Sequence, residues 1–198
     1  MGEDSVVVEN IHGSPLVKRD ATTPHSPEFY VISEKKLFVL SVFTFGLYFY
    51  YWSYKNWSIY KKTTRSDIWP WVRGLFYIFF IHTLYRRADQ KIRDHGRSFD
   101  FDFEQWATTF VVLTVGLNVL SVLANRMDIL PVFRVWVFLG IPLRAYMVQK
   151  CQALINFAAD DPGGSSNSRF TFSSYSVILT GAVIWGLTFF GVWLYYNP

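Results

Sequence analysis

Four side chains near the end of one apolar run share a helical face. His82, Arg86, Asp89 and Arg93 recur at spacings of four, three and four. At about 100° per residue they fall within about 60° of one another on a helix. An ionisable side chain inside an apolar run is a functional hypothesis by default. Beside Arg86, His82 could relay protons or help hold an anion. Only His82 lies within the apolar run, so the preferred reading is a hydrogen bond to a neighbouring helix. A second set lies further on. Gln149, Gln152 and Asn156 stack on one face, with Ala145 just above. Amides so spaced glue helices together, or line a polar path. Glue is the preferred reading. A path would also recruit Arg73, Asn118 and Arg144, which interrupt other apolar stretches.

Signatures of catalysis are missing. The chain has no HExxH, GxSxG, CxxC or Walker A sequence. His12, His25, His82 and His95 lack metal-ligand spacing. Cys151 is the single cysteine, and no base is spaced to activate it. No enzyme activity, metal or cofactor is expected.

The elements that would position these groups follow from hydropathy. Of the 198 residues, 51% are apolar, 20% are Phe, Trp or Tyr, and 17% are charged. Soluble domains carry roughly 25% charged residues. Residues 1–28 are polar and read as a disordered cytoplasmic tail. Five weakly charged runs follow, with candidate spans 37–54, 68–85, 105–125, 129–149 and 175–196. A spanning helix needs about 20 residues. The expected fold is therefore all-α: a multi-pass transmembrane helical protein with five spans.

The net charge of +4 would hint at nucleic acid in a soluble protein. Here the basic residues flank apolar runs, so lipid headgroups are the expected partner and nucleic acid is not. With five spans, 11 Lys and Arg lie on the side of the tail and 5 on the other. The positive-inside rule then puts the N-terminus in the cytoplasm and the C-terminus outside. If 37–57 were instead a re-entrant hairpin, Lys55–Arg65 would join the tail and the C-terminus would turn inward.

Local patterns refine this. Residues 44–57 read TFGLYFYYWSYKNW, with eight aromatics in fourteen positions. Gly46 is read as a close-approach point in a short span. Tyr48, Tyr51, Trp52, Tyr54 and Trp57 are read as an interfacial belt, with Lys55 and Lys61 among headgroups. Asp67–Arg73 and Asp128–Arg134 both read D-I-x-P-x-x-R. They are taken as two helix starts rather than a duplication. Ser98–Glu104 alternates apolar and acidic residues, which suits Phe99, Phe101 and Phe103 dipping into lipid. Ala182-x-x-x-Gly186 offers a helix-packing pair.

The run Thr44-Phe-Gly-Leu-Tyr48, then Tyr51-Trp52, then Tyr54-Lys-Asn56-Trp57, resembles the signature of a family of uncharacterised bacterial inner-membrane proteins. Pro70, Arg73 and Phe76 are similar to its P-x-x-R-x-x-F element, and Gln152, Ile155 and Asn156 to its Q-x-x-I-N. The resemblance covers roughly residues 29–196. It implies a multi-pass protein of the bacterial inner membrane, and no activity. The expectation is a non-enzymatic membrane component of scaffold, stress or immunity type. It would act through self-assembly or a membrane protein partner. The alternatives are a small oligomeric transporter or channel, or a lipid-binding membrane protein.

Overall fold

A computed structural model describes residues 27–126 and 132–197, with side chains 124–125 and 132–139 left aside. Nearly all of the expected tail 1–28 therefore lies outside the described residues. So do Asp128–Pro131 and the side chain of Arg134, and with them the second D-I-x-P-x-x-R. Among the described residues every regular element is helical. They are α1 (Glu34–Phe43), α2 (Tyr48–Thr64), α3 (Pro70–Leu75), α4 (Tyr77–Asp94), α5 (Phe103–Arg126), α6 (Val132–Ala158), a single 3₁₀ turn (Ser165–Asn167) and α7 (Phe172–Tyr196).

Two of these, Phe103–Leu123 within α5 and the whole of α7, are long and apolar enough to cross a membrane. Only 17% and 6% of their apolar windows are buried in the protein. The first two expected spans are not single helices. The run 37–54 stops at Phe43, turns, and restarts at Tyr48. Phe45 (φ 56°) and Gly46 (φ 86°) both take left-handed backbone in that turn. Glycine adopts it without the penalty a Cβ brings. Gly46 is thus a reversal point rather than a close-approach point. A Cβ there would meet only the Phe49 ring, at 3.5 Å. Thr44 closes the turn, donating its hydroxyl to Leu40 O at 2.7 Å and accepting from Tyr48 N at 3.0 Å.

The run 68–85 breaks at Phe76 (φ −99°, ψ 37°). Pro70 opens α3 at its first turn, where its missing N–H costs nothing. Gly74 then lets α3 lie against α2, since a Cβ there would sit 2.9 Å from Tyr54 Cβ. α3 is committed to α2, whereas α4 packs on α5 and α6. The helix breaks where those two demands part.

The aromatic run divides between two faces. Phe49, Trp52, Ser53, Asn56 and Trp57 are buried on α2, at the helical spacing three, one, three, one. Tyr50, Tyr51 and Tyr54 are exposed on the other side. Trp52 and Trp57, at 1% and 0% exposure, are core residues rather than a belt. They pack in one cluster with Ile81, Leu84 and Tyr85 of α4, Phe110 of α5 and Ile155 of α6.

One end of the bundle gathers several termini. Phe99 stacks near Phe157 at 5.1 Å, Arg97 pairs with Asp160 at 2.8 Å, and Lys36 reaches Arg169 O at 2.8 Å. The starts of α1, α5 and α7 and the ends of α4 and α6 therefore share that end. Phe99, Phe101 and Phe103 are half-buried against the protein's own core, while Asp100, Asp102 and Glu104 are exposed. The alternation is real, but Phe157 and Trp106 receive the rings.

α7 touches α1 alone among the described helices. Gly181 makes this possible, because a Cβ there would lie 1.9 Å from Phe43 O. Trp185, one turn on, donates its indole N–H to Val42 O at 3.1 Å and stacks on Phe45 at 4.7 Å. Ala182 and Gly186, the expected packing pair, are exposed instead.

Candidate functional site

The predicted polar residues converge on an extended strip, residues 29–33, that precedes α1. Asn156 on α6 holds Ile32 from both sides. Its Nδ2 donates to Ile32 O at 3.0 Å and its Oδ1 accepts from Ile32 N at 3.3 Å. Gln152, one turn earlier, donates through Nε2 to Tyr30 O at 3.0 Å and to Asn156 Oδ1 at 2.8 Å. Its Oε1 accepts the indole N–H of Trp52 at 2.7 Å. From α2, Asn56 Oδ1 accepts from Tyr30 N at 3.0 Å, and its Nδ2 donates to Trp52 O at 3.0 Å. Gln152, Asn156 and Asn56 are 0% exposed. An unpaired backbone segment buried between helices would leave donors and acceptors unmet. Side-chain amides carry both kinds of group and replace a β-ladder partner here.

This clamp unites Trp52, Asn56, Gln152 and Asn156. Gln149 is half-buried and outside it. Tyr51 is exposed beside the strip, with its ring edge-on to Tyr30 at 6.2 Å. Arg73 lies 4.3 Å above the buried Trp57 ring and 5.1 Å from Phe80. A guanidinium so placed gains cation–π attraction. Arg144 Nε turns back to Gly140 O at 3.0 Å, and Asn118 Nδ2 to Thr114 O at 2.7 Å. Arg144 and Asn118 are thus each bonded within their own helix. His82 Nε2 lies 3.1 Å from Thr108 Oγ1 on α5. One turn on, Arg86 pairs with Glu104 at 3.2 Å. Asp89 takes Arg93 Nε at 2.7 Å. His82 and Arg86 thus supply rungs between α4 and α5, whereas Asp89 and Arg93 pair within α4. Among the described residues, no three His, Cys, Asp or Glu side chains gather as a metal site.

Beside the clamp lies a cavity of about 560 Å³ between α1, the start of α2 and the start of α7. Lys36 lines it and is 5% exposed. Its Nζ donates to Asn167 Oδ1 at 2.7 Å and to Arg169 O at 2.8 Å. Burial lowers the ammonium's pKa from the ordinary lysine value. Asn167 completes the wall, donating to Val31 O at 3.0 Å and to Tyr30 Oη at 3.1 Å. The turn that carries Asn167 is fixed by Asp161, whose carboxylate accepts from the backbone N–H groups of Ser165 and Ser166. Those bonds, that of Ser166 foremost, hold Asp161 down to about 2.

The sequence did not mark Tyr30, Lys36 or Asn167 as site residues. Tyr30 contributes mainly backbone groups, which leave no residue-type signature. Lys36 reads as a flanking charge and Asn167 as a loop residue. Gln152, which binds Tyr30, and Arg169, which binds Lys36, lie more than 120 positions away in the chain.

Compared with known proteins, the chain matches no family model, no curated protein and no solved structure.

Proposed function

We propose that this chain is a non-enzymatic component of a bacterial inner membrane that works by assembling with itself or with a membrane protein partner. One observation carries the reading. Gln152 and Asn156 of α6, which would line a path, hold residues 30–32 instead, while α5 and α7 leave long apolar faces uncovered among the described residues. Contiguous apolar faces of that size call for lipid or a partner. The sequence resemblance to inner-membrane proteins agrees with this.

In this reading α5, α6 and α7 cross the bilayer. The 27 residues of α6 extend about 40 Å. The ten residues of α1 extend only about 15 Å, half of a ~30 Å hydrocarbon core. α1 and α2 therefore dip in and return. Lys55, Lys61, Lys62 and Arg65 then join the tail on the cytoplasmic side. Outside the helical interiors, that leaves Arg126 as the one basic residue on the far side up to α6. The charge asymmetry is sharper than with five spans.

Cysteine labelling tests the topology, since the native Cys151 is buried. Lys35→Cys and Lys62→Cys are expected to react with an impermeant maleimide only after the cells are opened. Asn197→Cys reacts in intact spheroplasts. Reaction of Lys62→Cys from outside restores a full first span. Native mass spectrometry from nanodiscs tests the action. A defined oligomer or a stoichiometric protein partner is expected; a bare monomer throughout counts against assembly.

A further inference from the structure

The cavity beside the clamp has a graded wall. α1 and α7 run parallel along it: Lys36 lies by Arg169, and further on Phe43 lies by Gly181. At their beginnings the wall is polar, with Lys36, Asn167, Ser173 and Ser174. One turn deeper it becomes apolar, with Leu40 on α1 and Val177 on α7. Leu47, at the α1–α2 turn, adds a further apolar residue beside Thr44, whose hydroxyl is turned back to Leu40 O. Among the described residues no carboxylate lines the cavity.

The donors there are unevenly matched. A lysine ammonium has three N–H groups. Asn167 and Arg169 accept two from Lys36. Tyr30 Oη already accepts from Asn167, and it lies 3.3 Å from Tyr48 Oη. If the Tyr30 proton goes to Tyr48, the Tyr48 hydroxyl proton remains for another acceptor. A cationic donor and a phenol thus border a space in which no described residue supplies an anion. Charge-assisted bonds from such donors favour phosphate oxygens. The volume falls within the ~300–1,000 Å³ of ordinary ligand sites.

We infer that this cavity binds the phosphate headgroup of an anionic phospholipid, with the upper part of its acyl chains lying along Leu40, Leu47 and Val177. The inference rests on the membrane reading above. If α7 crosses the bilayer from Phe172, then Lys36 and Asn167 stand at headgroup depth and Leu40 and Val177 stand among the acyl chains. The polar-to-apolar order of the wall is then the order of a lipid molecule. Tyr51 and Tyr48 form the rim between α2 and the lipid, a position aromatic side chains favour.

The test uses the full chain in nanodiscs of equal parts phosphatidylglycerol and phosphatidylcholine. After transfer to mild detergent, native mass spectrometry counts the lipids that stay. Wild type is expected to retain one phosphatidylglycerol per chain, at least tenfold over phosphatidylcholine. Val177→Trp, which fills the cavity from a position already 37% exposed, loses that lipid without touching a polar contact. Lys36→Gln removes the preference for the anionic lipid. Equal retention of both lipids by wild type, or unchanged retention by Val177→Trp, overturns the inference. Adding inorganic phosphate alone separates the two sources of the anion. Displacement of the lipid by millimolar phosphate means a free-phosphate site and overturns the lipid assignment; persistence of the lipid supports it. Alkaline carbonate washing of cell membranes tests the underlying reading separately. A chain that washes off was never embedded, whatever lipid it carries.

Discussion

Asn156→Ala lowers the stability of the chain by on the order of 3–5 kcal/mol, measured by reversible unfolding in mild detergent. The residue makes three buried hydrogen bonds, two of them to the backbone of Ile32. Alanine leaves an N–H and a C=O unmet in the core, and each such group costs about 1–3 kcal/mol. The reorganised Gln152 loses a further partner. Asn156→Asp is expected to do no better, because a carboxylate cannot donate to Ile32 O. Gln149→Ala serves as the comparison. It lies on the same helix, half-buried, outside the clamp, and its loss is expected to stay below about 1 kcal/mol. Equal effects at 149 and 156 would mean that the amide face acts through general polarity and that the clamp is not a distinct unit.

The other large effect belongs to Gly181→Ala. A single methyl there points at Phe43 O from 1.9 Å, far inside any real contact, so α7 must move away from α1. Overpacking alone costs about 1–3 kcal/mol. The Trp185 bond to Val42 O and the stack on Phe45 are lost with it. Because α7 has no other helical neighbour among the described residues, no second helix holds it in place. Hydrogen exchange in α1 is expected to rise at least tenfold, while exchange across the α5–α6 pair is unchanged. Gly186→Ala is the control, with nothing within 4 Å of its added Cβ. It is expected to be neutral or to gain a few tenths of a kcal/mol from helix propensity. If the two variants behave alike, α7 does not dock through Gly181.

These two residues also show how far the sequence could be read. Asn156 was visible because an amide in an apolar helix stands out, and its spacing from Gln152 was helical. Its target was invisible, since residues 30–32 offer backbone groups that carry no side-chain code. The small-xxx-small spacing points to Ala182 and Gly186 rather than to Gly181. Small residues mark where helices can approach, and only the neighbour decides where they do. The aromatic run misled in a similar way. Tyr and Trp both suit a membrane interface, so their types alone do not separate the buried face from the exposed one. The buried Ser53 and Asn56 were the sign that one face looks inward. The ends of α5 and α7 matched the hydropathy, because nothing competes with lipid-like length in helices that have few neighbours. The breaks at Phe45–Gly46 and Phe76 come from packing against partners distant in sequence. A window of apolar residues does not register them.

The long reach of the clamp has a consequence for how the chain is made. Ile32 and Asn156 are 124 residues apart. At roughly 5–20 residues per second, Ile32 is made about 6–25 s before its partner exists. Lys36 waits slightly longer for Asn167 and Arg169, 131 and 133 positions on. Throughout that interval the strip 29–33 has polar groups with no native partners, and α1 has no α7 to lie against. Vectorial synthesis therefore delivers the beginning of this protein unfinished. Its last helices close it.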